Sequence, residues 1–367
     1  MGKINLGVIF GGRSGEHEVS LMSARSVIGA LRPEKYDITQ IGISHEGEWF
    51  VGENVLQKMT EGHTKGLLPV VLFPDPSRRG LFLRSKIKSG ETLKHFIDLD
   101  VLFPVLHGTF GEDGTLQGLL EMADVAYVGA GVLGSAVGMD KGVFRDVMLA
   151  NDIPVVDTLV VSRKEIHENI GQVVEQAEDL TSYPMFVKPA NTGSSVGVTK
   201  SHSRSDLIEG LMDAARFDRR ILVQRAVNAR EIEVSVLGND FPEASIPGEI
   251  RPAAEFYSYE AKYKDSNSEL LIPAPIPDEI TNQIRLLAIK AYKAIDCAGM
   301  ARVDFFLDRD TEEIFLGELN TIPGFTNISM YPKLWEASGL PYPRLIDRLV
   351  DLAIERKAVR DQTEWRY

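Results

Sequence analysis

The sequence predicts a protein of mixed α/β and α+β class that begins with a parallel-sheet domain, and three observations support this prediction. A buried-strand pattern, a glycine-rich turn and a helix follow one another from Ile4, and the same succession returns after Asp100. Repeated units of this kind build parallel sheets. After Asn151 short strands and helices alternate, and residues 302–320 read as two strands joined by a charged turn. Such a hairpin indicates an α+β region.

Length and composition limit the class of function. The chain has 367 residues and should hold two or three domains, because a domain commonly takes roughly 150 residues. Its 44% hydrophobic and 25% charged residues are typical of a globular protein. The formal net charge of −13 argues against a nucleic acid or an anionic membrane as partner, since both attract basic surfaces.

Redox and targeting features favour a cytoplasmic protein. Cys297 is the single cysteine, so neither an intrachain disulfide nor a thiolate metal cluster can form, and we interpret it as a core residue. The apolar run at residues 4–10 is too short for a secretory signal. No run approaches the roughly 18 apolar residues of a membrane span.

The first predicted unit joins a strand at Ile4–Phe10 to a helix at about Val19–Leu31 through a glycine pair. A glycine turn between strand and helix opens the edge of an α/β sheet where ligands bind. This places Glu16, His17 and Ser20 at that edge. The alternative is a capped helix start with acids near its positive end, which accounts for less of the string GGRSGEHEVS.

The second unit begins with a predicted strand at Asp100–Leu106 and continues into the string HGTFGEDG and a helix. It brings His107, Glu112 and Asp113 to the same sheet edge. Residues 44–99 between the two units contain short strand-like pieces separated by Gly, Pro and charged residues. We interpret them as a peripheral elaboration without chemistry.

The string Gly129–Gly134 matches the dinucleotide fingerprint G-x-G-x-x-G, with Asp157 near the position of a ribose-binding acid. An NAD-dependent dehydrogenase is therefore an alternative. Against it, the motif lies outside the first βαβ unit, and the following helix carries Met-Asp-Lys ending at Lys141. No Gly-Lys-Ser/Thr string occurs, so a Walker A loop is absent from the sequence.

A turn after Lys188 has the composition of a phosphate-binding loop. We predict a strand at Met185–Lys188, a small and hydroxyl-rich turn at Ala190–Ser195, and a return strand at Val196–Thr199. Such a turn can direct backbone N–H groups and serine hydroxyls at phosphate oxygens, and Lys188 adds a positive charge. A flexible hairpin tip without ligand is the alternative.

The two strands that follow suggest a nucleoside site. Their predicted bounds are Ile221–Val227 and Arg230–Val234, and their edge offers backbone groups to adenine and Glu231 to ribose hydroxyls. Residues 247–270 then form a long polar and aromatic stretch with the string YSYEAKY. Loops of this length are usually functional or disordered, and we interpret this one as a lid. A helix is predicted at about Asp278–Cys297.

The predicted hairpin at residues 302–320 carries the most informative chemistry. Because alternate residues of a strand share a face, Arg302 lies beside Asp304, and Glu318 lies beside Asn320. If the two faces coincide, their oxygens suit Mg²⁺, which takes one or two carboxylates together with substrate phosphates. The turn that follows offers the Gly324 N–H to a developing negative charge. A hairpin with a solvated polar face is the alternative.

These strings together resemble the ATP-grasp enzymes, and among them the D-alanine–D-alanine ligase family. They follow one another in the family's order from Gly11 to Thr326, which covers nearly the whole chain. None is diagnostic alone, but the ordered set is highly specific. The strings are GGRSGEHEVS, HGTFGEDGTLQG, GSAVGMDK, VKPANTGSSVGV, REIEV, YSYEAKY, ARVDFFL and GELNTIPGFT.

The resemblance implies an ATP-grasp fold behind an N-terminal parallel-sheet domain. The expected divisions are residues 1–140, 141–225 and 226–367, with a lid loop at 247–270. It further implies ligation of two D-alanine molecules through an acyl phosphate, for peptidoglycan precursor synthesis. ATP would be the co-substrate, two Mg²⁺ or Mn²⁺ ions the metals, and a homodimer the assembly.

The resemblance also assigns roles to residues on the nucleotide side. Metal ligands would be Asp304, Glu318 and Asn320. Phosphate contacts would come from Lys141, Lys188, Ser194 and Ser195. The base and ribose would meet Gln224, Ala226, Val227 and Glu231. Gln224-Arg225 stands where many relatives carry Glu-Lys, and we expect base recognition to survive because it depends on backbone groups.

On the amino-acid side, the resemblance assigns Arg302 and the Gly324 N–H to the tetrahedral oxyanion. Glu16 would bind the ammonium of the first D-alanine, and His107 would lie near its carboxylate. Residues expected near the second D-alanine or in the lid are Ser329, Met330, Lys262 and Tyr263. In the family, residues matching Glu16, Ser194 and Tyr263 form a hydrogen-bonded trio.

Two rival functions stay open at this point. One is a ligase of the same chemistry that takes D-lactate or D-serine as its second substrate, although Tyr263 resembles the D-alanine-specific enzymes. A non-catalytic nucleotide-binding protein would have lost metal ligands or the oxyanion arginine, and Asp304, Glu318, Asn320 and Arg302 are all present.

Overall fold

The structure is a computed structural model that describes residues 2–88, 90–251, 269–326 and 328–364. Within these ranges the chain forms three β-sheets flanked by helices. The first sheet comes from the N-terminal third of the chain, the second from the middle, and the third from the C-terminal part.

The first sheet has a parallel half and an antiparallel half, in the order β6-β5-β4-β3-β2-β1-β7-β8. Strands β2, β1, β7 and β8 are parallel, as predicted, and β3 to β6 extend the sheet by antiparallel pairing. Its elements are β1 (Ile4–Gly11), α1 (His17–Ala30), β2 (Tyr36–Ile43), β3 (Trp49–Val51), α2 (Val55–Thr60), β4 (Leu68–Leu72), β5 (Leu81–Ile87), β6 (Gly90–Ile97), β7 (Val101–Pro104), α3 (Thr115–Met122) and β8 (Ala126–Tyr127).

Two helices lead into the second sheet, which is antiparallel in the order β11-β10-β12-β9. One face of this sheet packs on two long helices through an apolar core that includes Val187, Leu211 and Val223. Its other face is left for polar side chains. The elements are α4 (Val132–Met139), α5 (Lys141–Ala150), β9 (Thr158–Ser162), α6 (Arg163–Leu180), β10 (Met185–Pro189), β11 (Thr199–Ser201), α7 (Arg204–Phe217) and β12 (Arg220–Arg225).

The third sheet has the order β16-β15-β13-β17-β18, with β14 paired to β13. Its long central pair, β13 and β17, is antiparallel, and α8 covers an apolar face that includes Val234, Ala291 and Phe305. The elements are β13 (Ala229–Gly238), β14 (Glu243–Ala244), β15 (Gly248–Arg251), β16 (Glu269–Leu271), α8 (Asp278–Ala294), β17 (Gly299–Asp308), β18 (Ile314–Asn320), α9 (Met330–Ala337) and α10 (Tyr342–Arg360).

Most predicted elements are present, and three predictions need correction. The return strand predicted at Val196–Thr199 begins only at Thr199, so the turn after β10 is longer than expected. The stretch at 247–270 is framed by strands β15 and β16, which pair with each other; residues 252–268 lie outside the described residues. Helix α2 and strand β6 were not predicted. The expected domain boundaries remain predictions.

Gly134, the last glycine of the apparent dinucleotide motif, and Gly138 just beyond it serve close packing. A side chain at Gly134 would meet the backbone of Asp296 at 3.1 Å, and one at Gly138 would meet Thr321 at 3.1 Å. Asp157, the candidate ribose acid, forms an ion pair with Arg225 at 3.2 Å. The motif therefore lets α4 lie against the third sheet, which leaves the dehydrogenase alternative without support.

The C-terminal helix α10 returns to the first sheet and is held there by Asp347. Leu345 and Leu349 of this helix share an apolar core with Val101 and Phe103 of β7. The Asp347 carboxylate accepts hydrogen bonds from Tyr36 at 2.7 Å, from Lys35 at 3.1 Å and from Arg32. Burial opposes the charge of Asp347, but these donors outweigh it and hold its pKa below the ordinary value.

We predict that Asp347→Asn lowers the free energy of unfolding by about 2 kcal/mol, between the values for surface and buried ion pairs. Because the folded-state pKa of Asp347 is depressed, its contribution is present at neutral pH and is lost as the pH falls through that pKa. Urea unfolding at neutral and acidic pH measures both effects. Asp351→Asn, an exposed change on the same helix, is the control. Equal stability of both variants and the wild type at neutral pH would contradict this role.

Candidate active site

The register between β17 and β18 brings four polar side chains to one spot. Arg302 lies opposite Asn320, and Asp304 lies opposite Glu318. Arg302 donates to both oxygens of Asp304, from Nε at 2.7 Å and from Nη2 at 2.6 Å. The amide of Asn320 donates to Asp304 at 3.0 Å and to Glu318 at 3.5 Å. The predicted coincidence of the two faces is confirmed.

A third carboxylate, Glu233, completes this cluster and was missed in the sequence. It lies on β13 opposite Asp304, is 6% exposed, and forms an ion pair with Arg302 Nε at 2.9 Å. Burial opposes the charge of Arg302, but Asp304 and Glu233 outweigh it and raise the arginine's pKa. The guanidinium is thereby fixed in place and charged. The sequence does carry a signal for this residue. In the string REIEV, alternate side chains share a face, so Glu233 lies on the same face as Glu231.

The oxygens of Asp304, Glu318 and Asn320 suit a divalent cation. Two carboxylates and one amide lie side by side, which matches the small protein contribution that Mg²⁺ takes when substrate phosphates supply other ligands. Among the described residues, no group of three or more His, Cys, Asp or Glu side chains is placed to hold a metal. The donor set therefore fits a metal shared with a ligand better than a closed protein cage.

Two lysines extend from neighbouring elements toward the acidic cluster. Lys141 Nζ lies 3.8 Å from Glu318 and donates to the carbonyl of Thr192 at 2.8 Å. Lys188 Nζ donates to Gln224 Oε1 at 2.9 Å. Burial, and then the nearby charge of Lys141, lower the pKa of Lys188 to about 8. Two neighbouring ammonium groups beside half-buried carboxylates form a site for a polyanion.

Asp140 explains how Lys141 is held. Its carboxylate caps α5 by accepting from the N–H groups of Gly142 and Val143, at 3.0 and 2.9 Å. The second carboxylate oxygen accepts from Arg220 at 2.7 Å and from Asn191 at 3.1 Å. The string Met-Asp-Lys was noted in the sequence only for its lysine. The aspartate ties the start of α5 to the second sheet and so fixes the backbone position of Lys141.

The turn after β10 bends over this site and contacts the N-terminal domain. Ser194 and Ser195 both adopt positive φ, 48° and 60°. Ser194 Oγ donates to the Glu16 carboxylate, which comes from the turn after β1. A side chain at Gly193 would meet Glu16 Oε2 at 2.5 Å, so glycine is required for this approach. The two glycine turns that the sequence singled out are therefore in direct contact.

His107 is buried and both of its ring nitrogens are engaged. Nδ1 lies 3.2 Å from the carbonyl of Ile322 and therefore carries the proton, while Nε2 accepts from Ser23 Oγ at 3.0 Å. Burial lowers the pKa of His107, so the ring is neutral near pH 7. The carbonyl of His107 also accepts from Ser14 at 2.8 Å. His107 thus joins the first two glycine turns to the segment after β18.

Glu112 lies close to Glu16, and its pKa is raised. Its carboxylate accepts from the Gly108 N–H at 2.6 Å. Burial, and then the charge of Glu16, raise the pKa of Glu112 to about 8. The sequence placed Glu112 at the sheet edge but gave no sign of its protonation, which depends on burial.

The segment after β18 passes through Gly324 and leads into α9. Ser329 Oγ accepts from the Thr326 N–H at 3.0 Å, and a side chain at Gly324 would meet that oxygen at 2.7 Å. Met330 begins α9, and its side chain is buried against Gly248. Any ligand contact from Met330 must therefore come from its backbone at the helix N-terminus.

The predicted nucleoside residues lie along the edge of the second and third sheets. The Gln224 side chain contacts Lys188 and Thr158. The Ala226 N–H donates to the Pro184 carbonyl at 3.3 Å, so its carbonyl is the group left for a base. Val227 is half-buried in the link to β13, and Glu231 is half-buried within β13. Lys262 and Tyr263 lie outside the described residues.

Comparisons with protein families match both parts of the chain. A model of the D-ala D-ala ligase N-terminus matches residues 5–130, and a model of the D-ala D-ala ligase C-terminus matches residues 147–351. A D-alanine–D-alanine ligase from Thermoanaerobacter sp. is 52% identical over 357 residues, 97% of this chain and 98% of that protein. One from Heliobacterium modesticaldum is 49% identical over 356 residues, 97% of this chain and 96% of its own.

Solved structures with the same fold include ligases of differing substrate. The D-alanine-D-alanine ligase from Coxiella burnetii has a TM-score of 0.82 and 36% identity, covering 98% of this chain and 96% of that one. The VanG D-Ala:D-Ser ligase from Enterococcus faecalis has a TM-score of 0.84 and 34% identity, covering 96% of this chain and 100% of that one. The predicted fold class is confirmed.

The protonation of Glu112 predicts a pH dependence of stability. Because its folded-state pKa of about 8 lies above the ordinary value, its contribution is present in acid and is lost as the pH rises through about 8. We expect Glu112→Gln to gain stability over the wild type progressively as the pH is raised. Urea midpoints from about pH 5 to about pH 9 measure this difference. Glu336→Gln on the surface is the control, and a Glu112→Gln difference that is constant with pH would contradict the assignment.

Proposed function

The chain belongs to the D-alanine–D-alanine ligase family, and we propose that the cluster built on β17 and β18 activates one substrate by phosphorylation. The protein uses ATP to join two D-alanine molecules, and the resulting dipeptide is required for peptidoglycan precursors. The observation that carries the proposal is the placement of Lys141 and Lys188 against the carboxylates around Arg302. The lysines supply positive charge for the phosphates, and the carboxylates supply negative charge for metal ions, and a phosphoryl transfer requires both.

In the first step the carboxylate of one D-alanine attacks the γ-phosphate of ATP. Both reactants are anionic, so their approach is opposed unless positive charge lies nearby. Lys141, Lys188 and the backbone at Ser194 and Ser195 provide that charge and hold the phosphates. ADP leaves, and the products of this step are ADP and an acyl phosphate.

Asp304, Glu318 and Asn320 would hold two Mg²⁺ ions, or Mn²⁺ in their place. When bound, these ions neutralise phosphate charge during transfer. Asn320 already contacts both carboxylates, and Lys141 lies close to Glu318. These residues would therefore hold the metal ions and the phosphates close to Lys141.

In the second step the amine of the other D-alanine attacks the acyl carbon, and phosphate leaves. The tetrahedral intermediate bears an oxyanion, for which we assign Arg302 and the Gly324 N–H as donors. Asp304 and Glu233 hold the guanidinium rigidly. A donor fixed in advance lowers the barrier because it need not reorganise during the reaction.

Residues around Glu16 form the first substrate subsite in this proposal. Glu16 offers an anionic carboxylate to the D-alanine ammonium, and Ser194 orients it. His107 positions the surrounding turns and lies near the substrate carboxylate. For the second D-alanine we assign the backbone at Ser329 and Met330. The family resemblance assigns Tyr263 and Lys262 to this site, where exclusion of water would protect an acyl phosphate from hydrolysis.

The oligomeric state and the cellular location of the protein are also proposals. Family resemblance implies a homodimer, which light scattering on the purified protein tests directly. Within the described residues, no helix is both long enough and apolar enough to cross a membrane. A cytoplasmic location is our proposal, and fractionation of the source cells would test it.

The function is tested by ADP formation from ATP and Mg²⁺ with D-alanine, followed by mass spectrometry of the product. We predict ADP that depends on D-alanine, together with the mass of the dipeptide. L-alanine is the negative control, and D-serine or D-lactate added beside D-alanine tests the second subsite. If a ligation product forms only when D-serine or D-lactate is present, that compound is the second substrate. No ADP with any of them would contradict the ligase assignment.

We predict that Glu318→Gln raises the Mg²⁺ concentration needed for half-maximal activity at least about tenfold, because one charged ligand is lost. Activity against Mg²⁺ concentration measures this change. Glu313→Gln, in the exposed turn of the same hairpin, is the matched control. An unchanged Mg²⁺ requirement in Glu318→Gln would remove this residue from the metal site.

We predict that Arg302→Met lowers kcat by about 10²–10³-fold, the usual loss when one oxyanion donor is removed. Its KM for ATP should change little, since ATP is bound by other residues. Because Arg302 neutralises Asp304 and Glu233, a thermal melt must first show that the variant folds. Arg302→Lys keeps the charge but loses the bidentate hydrogen bond to Asp304, and it should retain an intermediate kcat. A kcat close to the wild-type value in Arg302→Met would contradict the assigned role.

A further inference from the structure

A chain of three hydrogen bonds leads from the backbone just before β9 to Lys188. Lys188 Nζ donates to Gln224 Oε1 at 2.9 Å, Gln224 Nε2 donates to Thr158 Oγ at 3.0 Å, and Thr158 Oγ donates to the Val156 carbonyl at 2.8 Å. Thr158 is 6% exposed. Thr158 itself has no role in the function proposed above.

The direction of every bond in this chain is fixed by chemistry. An ammonium can only donate, so it must face the oxygen of the Gln224 amide, which turns the amide nitrogen toward Thr158. A hydroxyl has one proton, and that proton is committed to the Val156 carbonyl, so Thr158 must accept from the amide. The two ends of the chain require the same amide orientation. Gln224 is therefore held in one of its two possible orientations.

Strand register places these side chains where the chain of bonds can form. Gln224 on β12 lies directly opposite Thr158 on β9 and opposite Phe186 on β10. Lys188 is two residues beyond Phe186 and so projects from the same face of the sheet. Diagonal neighbours of this kind lie within reach of long side chains. The apolar core occupies the other face, through Val187 and Val223.

We propose that Thr158 is a positioning residue for Lys188: acting through Gln224, it sets the ammonium in place for the nucleotide phosphates. The inference rests on the proposed function, which assigns Lys188 to those phosphates. Among the described residues, Gln224 provides the one hydrogen bond that Lys188 makes, so two of its three N–H donors can bind a ligand. A neutral amide anchors the ammonium without forming an ion pair that a phosphate would have to displace.

This role differs from recognition of the base, which the family resemblance assigns to Gln224. If Thr158 acts through Lys188, loss of its hydroxyl affects ligands that carry phosphates and spares adenosine. If it acts by shaping the base pocket, both kinds of ligand lose affinity equally. Loosening of the sheet would lower the melting temperature and affect both ligands as well.

The test measures binding of ATP by calorimetry without D-alanine, and of adenosine by displacement of ATP. Thr158→Val keeps the shape but removes the hydroxyl, and we expect it to weaken ATP binding about threefold to tenfold, the usual range for one hydrogen bond. Adenosine binding should stay within about twofold of the wild type. Thr158→Ser keeps the hydroxyl and should bind ATP as the wild type does.

A double-mutant cycle with Lys188→Met shows whether Thr158 affects ATP binding through Lys188. Once Lys188 is removed, adding Thr158→Val should cause no further loss of ATP affinity. If Thr158→Val fails to fold, Thr158→Ala removes the same hydroxyl without adding bulk and is expected to give the same pattern. Unchanged ATP binding, an equal loss for adenosine, or an equal loss in the Lys188→Met background would overturn the proposal. Binding is measured directly, so failure of ligation would be seen separately as absence of ADP formation in the wild type.

Discussion

The paired contact between Arg302 and Asp304 sets the arrangement of the whole site. It exists because β17 pairs with β18 in a register that puts Arg302, Asp304, Glu318 and Asn320 on one face. A shift of β18 by one residue would turn Glu318 and Asn320 to the opposite face, away from Arg302 and Asp304. Glu233 balances the buried guanidinium from the other neighbouring strand. Removing any partner would leave a buried charge unpaired, which is costly.

Contacts between separate sheets bring the remaining groups to this hairpin. Ser194 of the second sheet's turn binds Glu16 of the first sheet, and Lys141 lies between the second sheet and Glu318 of the third. Helix α10 returns from the C-terminus to pack on the first sheet through Asp347. The site is therefore formed only when the three sheets are assembled. This suits a reaction in which nucleotide and amino acids must meet away from water.

Sequence reasoning succeeded where a local pattern carries the signal. Period-two alternation was enough to place Arg302 beside Asp304, and glycine turns after strands located Glu16 and Lys188. It failed where the decisive partner is distant in the chain. The role of Asp140 depends on Arg220, and the protonation of Glu112 depends on burial beside Glu16. The longer turn before Thr199 was missed because its residues favour both a strand and a loop.

The central claim is that these charges serve to phosphorylate a carboxylate. It is tested most directly by D-alanine whose carboxylate oxygens carry a heavy isotope. If the carboxylate attacks the γ-phosphate and phosphate leaves when the second amine attacks, one labelled oxygen must appear in the inorganic phosphate. Phosphorus NMR or mass spectrometry of the released phosphate detects it. We predict one label per phosphate formed during ligation, and unlabelled phosphate released together with dipeptide would contradict the account.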